Sequence, residues 1–311
     1  MLEDDLNISV TPYQAIGIPI ALLAAVLLAL GTHYQSRGVG KAASDGGGFG
    51  IRQLPLLLKR PSWLIGTVLL GSAVVLQLVA LGFAPLIVVQ PLGAIALVIT
   101  ALLGAMEVKR HLDGVEIRSI ALCVGGIAVF VTAAAIFAHE EPIGEPQLLI
   151  IVGLLAVIYA VAVTLYARAH GRLRAPFYIV AAGVLYGFVV TLAKVVINRI
   201  ITGNFEWLTV VAAVALVATL GLGVFFVQKA YVTGKASLVV AGLTVIDPIV
   251  AVGLGIVVLG EAATAPLYAI AIFVLAGAMA GFGVWTLARH GDAEHRGRGD
   301  AASPPAAPST D

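Results

Sequence analysis

The sequence predicts an all-α polytopic membrane protein with nine transmembrane helices, and three observations carry that prediction. First, 60% of its 311 residues are hydrophobic and 11% are charged, whereas a soluble domain averages about 45–50% apolar and about 25% charged. Second, the apolar residues fall into nine runs of roughly 20 residues, the length a helix needs to cross a bilayer core. Third, Lys and Arg collect in alternate loops. This composition excludes a disordered chain, a nucleic-acid binder and an ordinary cytosolic enzyme, and makes lipid the expected solvent. A formal charge of +1 supplies no net field to recruit polyanions. Cys123, the single cysteine, excludes an internal disulfide and a cysteine-rich metal cluster.

The runs, numbered spans 1 to 9, are 13–35, 61–83, 85–107, 115–138, 147–168, 176–201, 207–230, 236–260 and 266–287. Helix-ending or turn residues separate them: Pro61, Gly82 with Pro85, Gly114, Pro142 with Pro146, Gly171 with Pro176, Gly203-Asn204, Gly234 and Pro266. Continuous rather than alternating apolar runs exclude a closed barrel. Span 1 is expected to be retained, because the leader Glu3-Asp4-Asp5 is acidic where a signal peptide is basic.

Positive charge sets the orientation. Loop 1–2 carries Arg37, Lys41, Arg52, Lys59 and Arg60; loop 3–4 carries Lys109, Arg110 and Arg118. Loop 5–6 carries Arg168, Arg172 and Arg174, loop 7–8 Lys229 and Lys235, and the tail Arg289, Arg296 and Arg298. The opposite loops hold Glu140, Glu141, Glu145, Glu206 and Glu261, against Arg199 alone. The N-terminus is therefore expected outside and the C-terminus in the cytoplasm. The organisation reads as a leader over 1–12, a first half over 13–138 with a flexible loop at 36–60, a second half over 147–287, and an unstructured tail over 288–311. Asn7-Ile8-Ser9 fits a glycosylation triplet but lies close to span 1.

Two stretches share a plan. Residues 82–112 run GFAPLIVVQPLGAIALVITALLGAMEVKRHL, and residues 234–261 run GKASLVVAGLTVIDPIVAVGLGIVVLGE. Each opens on Gly, holds a polar-Pro pair inside the apolar run (Gln90-Pro91, Asp247-Pro248), and ends in charge. The segment from Asp247 to Glu261 resembles the Pro-to-Glu segment of the drug/metabolite transporter superfamily, whose repeat is the EamA domain. The segment from Gln90 to Leu112 resembles that of the NIPA-like branch, described as magnesium transporters, although Arg110 stands where that branch usually carries an acid. The resemblance covers roughly residues 13–287. It implies two inverted repeats, here of four and five helices, with a binding site near the midplane. Pro91 and Pro248 are expected to break their helices there, since each removes a backbone donor.

Polar residues at lipid depth are the candidate site residues. Asp247 falls near mid-membrane, where an ionised carboxylate costs about 2.5–3.5 kcal/mol on insertion scales. It reads as a proton, cation or substrate site, or as a carboxyl capping the half-helix after Pro248. Gly183, Gly187, Thr191, Lys194 and Asn198 share one face of span 6, suited to a wet cavity or to close helix packing. Lys194 either faces the cavity, favouring an anionic or zwitterionic solute or pairing with Asp247, or snorkels to the outer headgroups. Gln77 and Gln90 read as substrate-binding amides or interhelical glue. Tyr186 and Thr244 complete the candidate lining.

Gly277-x-x-x-Gly281 reads as a small-residue packing motif, within the chain or in a homodimer. Trp63, Trp207 and Trp285 sit at span ends as interface anchors. Neither a metal-ligand spacing nor a catalytic set is read, and no cofactor is expected. The sequence thus points to a transporter moving a small molecule or ion by alternating access, in a bacterial inner or plasma membrane. A divalent-cation transporter and a non-transporting envelope scaffold are the alternatives.

Overall fold

The computed structural model describes residues 12–44, 60–107, 109, 111–140, 143–168, 174–234 and 236–301. The acidic leader with Asn7, the run Gly46-Gly47-Gly48 and the last ten residues of the tail lie outside them. Among the described residues nine helices are long and apolar enough to cross a membrane. They are Gln14–Arg37, Pro61–Phe83, Leu86–Glu107, Gly114–Phe137, Glu145–Arg168, Ala175–Ile201, Trp207–Thr233, Leu238–Val257 and Leu267–Leu287. The chain is therefore an all-α polytopic membrane protein. Span 4 shows how local sequence sets a start: Asp113 accepts from the amide of Glu116 (2.7 Å) and Glu116 accepts from that of Asp113 (3.1 Å). This reciprocal capping box satisfies two otherwise orphaned donors.

Two expectations about irregular segments are corrected. Residues 36–44, expected in a flexible loop, continue the first helix, which runs Pro12–Ser44. Residues 288–301, expected to be unstructured, continue the last, which runs Leu267–Ala301. Neither extension contains proline, which would have ended the helix.

The packing repeats. Span 1 packs along spans 2 and 3, with span 4 beside span 3; span 6 packs along spans 7 and 8, with span 9 beside span 8. Corresponding helices are five spans apart, and an odd offset reverses their direction across the membrane. Span 5 packs on spans 6 and 7 and is otherwise mostly exposed. Span 5 thus sides with the second half and has no counterpart in the first.

Spans 4 and 9 join the halves. A Cβ on Gly126 would lie 2.6 Å from the Ala280 nitrogen, and one on Gly283 would lie 2.5 Å from that of Cys123. These two glycines set the close approach, whereas Gly281 faces open space and Gly277 meets Phe130 at an ordinary 3.6 Å. Within the chain, Gly277 packs on Phe130 and the closest backbone approach belongs to Gly126 and Gly283. Gly126→Ala forces a methyl onto backbone that cannot retreat, and is expected to cost about 1–3 kcal/mol. Thermal unfolding in detergent measures this; an unchanged midpoint would show that the two helices can part at no cost.

Orientation is checked by labelling in cells. A cysteine at exposed Glu145 is expected to react with an impermeant outside reagent, and one at Gly47 is not; the reverse pattern inverts the topology.

Candidate functional site

Span 3 consists of two helices, Leu86–Gly93 and Ile95–Glu107, as expected of a proline-bearing span. Pro91 withdraws one donor, and Ala94 then closes a tighter turn onto the Pro91 carbonyl (3.2 Å). Span 8 corrects the parallel expectation, because Pro248 sits inside the unbroken helix Ala236–Val257. One missing backbone bond is tolerated there. The helix packs tightly on span 6, where Gly183 faces Ile246 and Gly187 faces Val250. The small face of span 6 is, at these two glycines, a close helix contact.

Span 8 ends in a turn that aims a carboxylate. Gly260 has φ 72°, a conformation natural to glycine. The amide of Glu261 returns to the Gly255 carbonyl (3.0 Å), which folds the chain back over the helix end. Glu261 is thereby laid on the start of span 3. Its Oε1 accepts from the Leu86 amide (2.7 Å) and its Oε2 from the Ile87 amide (2.8 Å). Leu86–Gly93 thus gains an anionic cap on two of its free N-terminal donors. Gly255 makes the room, since a Cβ there would stand 2.7 Å from Oε2.

Lys194 completes this cluster. Its Nζ donates to Glu140 Oε1 (2.7 Å) and to the Ala84 carbonyl (2.8 Å), and lies 3.5 Å from Glu261 Oε1. Lys194 is 4% exposed and Glu261 2%, while Glu140 is 39% exposed. Burial pushes the Glu261 carboxyl above its ordinary value; the ammonium and the two amides act against it. The His139 amide donates to the Glu261 carbonyl (2.8 Å), and Gln14 donates to the Ala138 carbonyl beside it (3.1 Å). Lys194 and Glu261 belong to the second half, and Ala84, Leu86, Ile87, His139 and Glu140 precede it. The cluster therefore stitches the halves together at one end, the end that the Lys and Arg pattern puts outside.

Two readings of Lys194 are corrected. It does not snorkel, being buried, and its salt-bridge partners are Glu140 and Glu261 rather than Asp247. Its charge is already matched by two carboxylates, so it offers no free cation to an anionic solute. Arg199, the lone cation of the outer loops, is likewise held, by Thr209 (2.8 Å) and Glu206 (3.2 Å).

Below the cluster lie Gln90 and Asp247. Span 8 meets span 3 on the outer helix Leu86–Gly93, with Gly255 against Leu86. From that level, helix rise puts Gln90 about 6 Å deeper and Asp247 about 12 Å deeper. Gln90 Nε2 and Asp247 Oδ1 are buried and have no hydrogen-bond partner. The helix Ile95–Glu107 packs mainly on span 1 instead. Where spans 3 and 8 part, a crevice of about 530 Å³ is lined by Pro91, Pro248, Phe130, Phe273 and further apolar groups. Thr244 is its one hydroxyl, and that group donates to the Val240 carbonyl (2.8 Å).

The other expected site residues scatter. Thr191 is buried and donates to the Gly187 carbonyl (2.8 Å). Tyr186 is the exception: it lies over Gly223 of span 7 and within electrostatic reach of Asp247. Asn198, half-buried near the outer end, contributes its carbonyl to the cap at Thr202 (2.9 Å). Gln77 is half-buried in span 2, away from the crevice. Sequence reasoning counted Glu140 and Glu261 among the acids of the outer loops, with Glu261 also closing the segment that carries the resemblance, and placed neither in the site. The available signal was Gly260-Glu261 itself, a helix-stopping glycine followed at once by an acid.

No family model, curated protein or solved structure matches the chain. Fold and site define a multi-pass α-helical integral membrane protein whose halves are tied by buried charge at one end.

Proposed function

We propose that this protein is a transporter of the drug/metabolite type, moving a small solute across the membrane by alternating access. One observation carries this reading: the proline-bearing spans of the two halves meet at the outer end and part below it around an apolar crevice, and each carries, next to its proline, a buried polar atom without a partner. A helix bundle serving only as a scaffold gains nothing from an orphaned carboxylate oxygen and amide, each of which costs free energy when buried. A transporter uses such groups to exchange protein contacts for solute contacts near the midplane. Asp247 and Gln90 are the solute-facing groups in this proposal, with Thr244 and the prolines in the adjoining wall.

Purified protein in proteoliposomes tests it. Uptake or efflux is followed across a panel of cations, metabolites and lipophilic cations, with and without a pH gradient. Saturable, protein-dependent flux of any of them is the expected result. A chain that carries none of these and tolerates change at Asp247 and Gln90 is a scaffold.

A further inference from the structure

The ion-pair cluster at the outer end has an inner counterpart. Glu107 ends span 3 as Glu261 follows span 8, and spans 3 and 8 correspond in the repeated packing. Glu107 accepts from Arg37 at 2.6 Å and lies 3.7 Å from His33, both on span 1. Glu261 lies by Lys194 on span 6, and spans 1 and 6 also correspond. Each half thus sets an acid after its third helix against a cation near the far end of its first helix. Because the halves are inverted, the two clusters lie at opposite ends of the bundle.

The clusters differ in state. Glu261 is 2% exposed and bonded across to the amides that begin span 3. Glu107 is 38% exposed, and its Arg37 partner 48%, within one half. The group corresponding to the start of span 3 is the start of span 8, the helix Ala236–Val257, whose first-turn amides lack intrahelical acceptors. We propose that Glu107 and Glu261 are alternating locks. With Glu261 seated on span 3 the outer end is closed, as here; when it leaves, Glu107 crosses to the first turn of span 8 and closes the inner end. Arg37 and His33 then play the part that Lys194 plays now. This rests on the alternating-access reading for its purpose, though not for its test.

The test reads access rather than flux. Thr191 is fully buried one turn below Lys194, and its hydroxyl bonds only within its own helix, so Thr191→Cys is a mild reporter. Native Cys123, buried between spans 4 and 9, reports unfolding. With the lock intact, an impermeant maleimide added outside is expected to label neither. Adding Lys194→Met should raise labelling of the Thr191→Cys reporter at least about tenfold, a modest population shift for the loss of a buried partner. Cys123 should stay unlabelled. Adding Glu107→Gln as well should return labelling close to the parental level, because the outward-open state loses its holding contact. Glu107→Gln alone should change nothing.

If the double variant labels like Lys194→Met, Glu107 has no part in the open state and the proposal fails. If Lys194→Met leaves the reporter silent, the outer lock fails with it. Should Lys194→Met expose Cys123, the same pair of measurements is made on Glu140→Gln, which leaves Lys194 on Glu261, and is read by the same outcomes. A chain that labels as expected yet carries no solute sinks the transport reading alone. One that transports with labelling unmoved sinks the locks alone.

Discussion

Asp247→Asn is expected to reach the membrane at the parental level and to lose transport. Asn matches Asp in size and keeps a side-chain carbonyl, so packing against span 6 is retained; what disappears is the ability to ionise. If the orphaned oxygen is where a solute or proton docks, the substitution removes a hydrogen bond to a charged group, about 1.5–3 kcal/mol, or roughly ten- to a hundredfold in affinity. Removing a buried acid also removes its desolvation cost, so the variant should fold at least as well as the parent. Flux in proteoliposomes between acid and alkaline pH gives the answer. Loss at every pH, or a flattened pH profile, supports a functional carboxylate. Parental flux throughout would make the Asp247 carboxylate dispensable for transport and would sink the solute-docking reading.

Lys194→Met is expected to have the largest effect on stability. It leaves Glu261, which is 2% exposed, with no cation. Breaking a buried pair from one side costs about 3–5 kcal/mol; the low end applies here, because Glu140 is 39% exposed and water screens it. In the closed state, which remains the major one, the two amides still hold Glu261, so the fold should survive with a lowered thermal midpoint. Glu261→Gln on that background removes the stranded charge and should recover part of the loss. Lys194→Arg keeps the charge but brings a wide planar fork to a site built for a compact ammonium, and should lie between. A parental midpoint for Lys194→Met would mean that the cluster contributes nothing to stability.

The nine spans were legible because hydrocarbon imposes one rule, some twenty apolar residues in a row, and because Pro61, Gly82 and Pro266 punctuate the runs. Pairing span 3 with span 8 was legible too, since Gln90-Pro91 and Asp247-Pro248 mark both. The outer cluster was not. Glu140, Lys194 and Glu261 are separated by 54 and then 67 residues along the chain, and only the left-handed turn at Gly260 together with the approach of spans 3, 6 and 8 brings them together. Pro248 misled because proline reports a lost bond, not whether neighbouring helices hold the segment straight. The spacing of Gly277 and Gly281 names a face but not what lies opposite it, and the most intimate contacts within the chain belong to Gly126 and Gly283.

Span 5 has no counterpart in the repeated packing, yet it settles a question of parity. Counting it, the second four-helix unit enters the bilayer from the side opposite to the first, and the molecule acquires an approximate two-fold axis lying in the membrane plane. Without it both units would enter from the same side, their axis would stand along the membrane normal, and Glu107 and Glu261 would share one face. A helix packed on the second half alone is therefore what makes the two faces of this protein interchangeable.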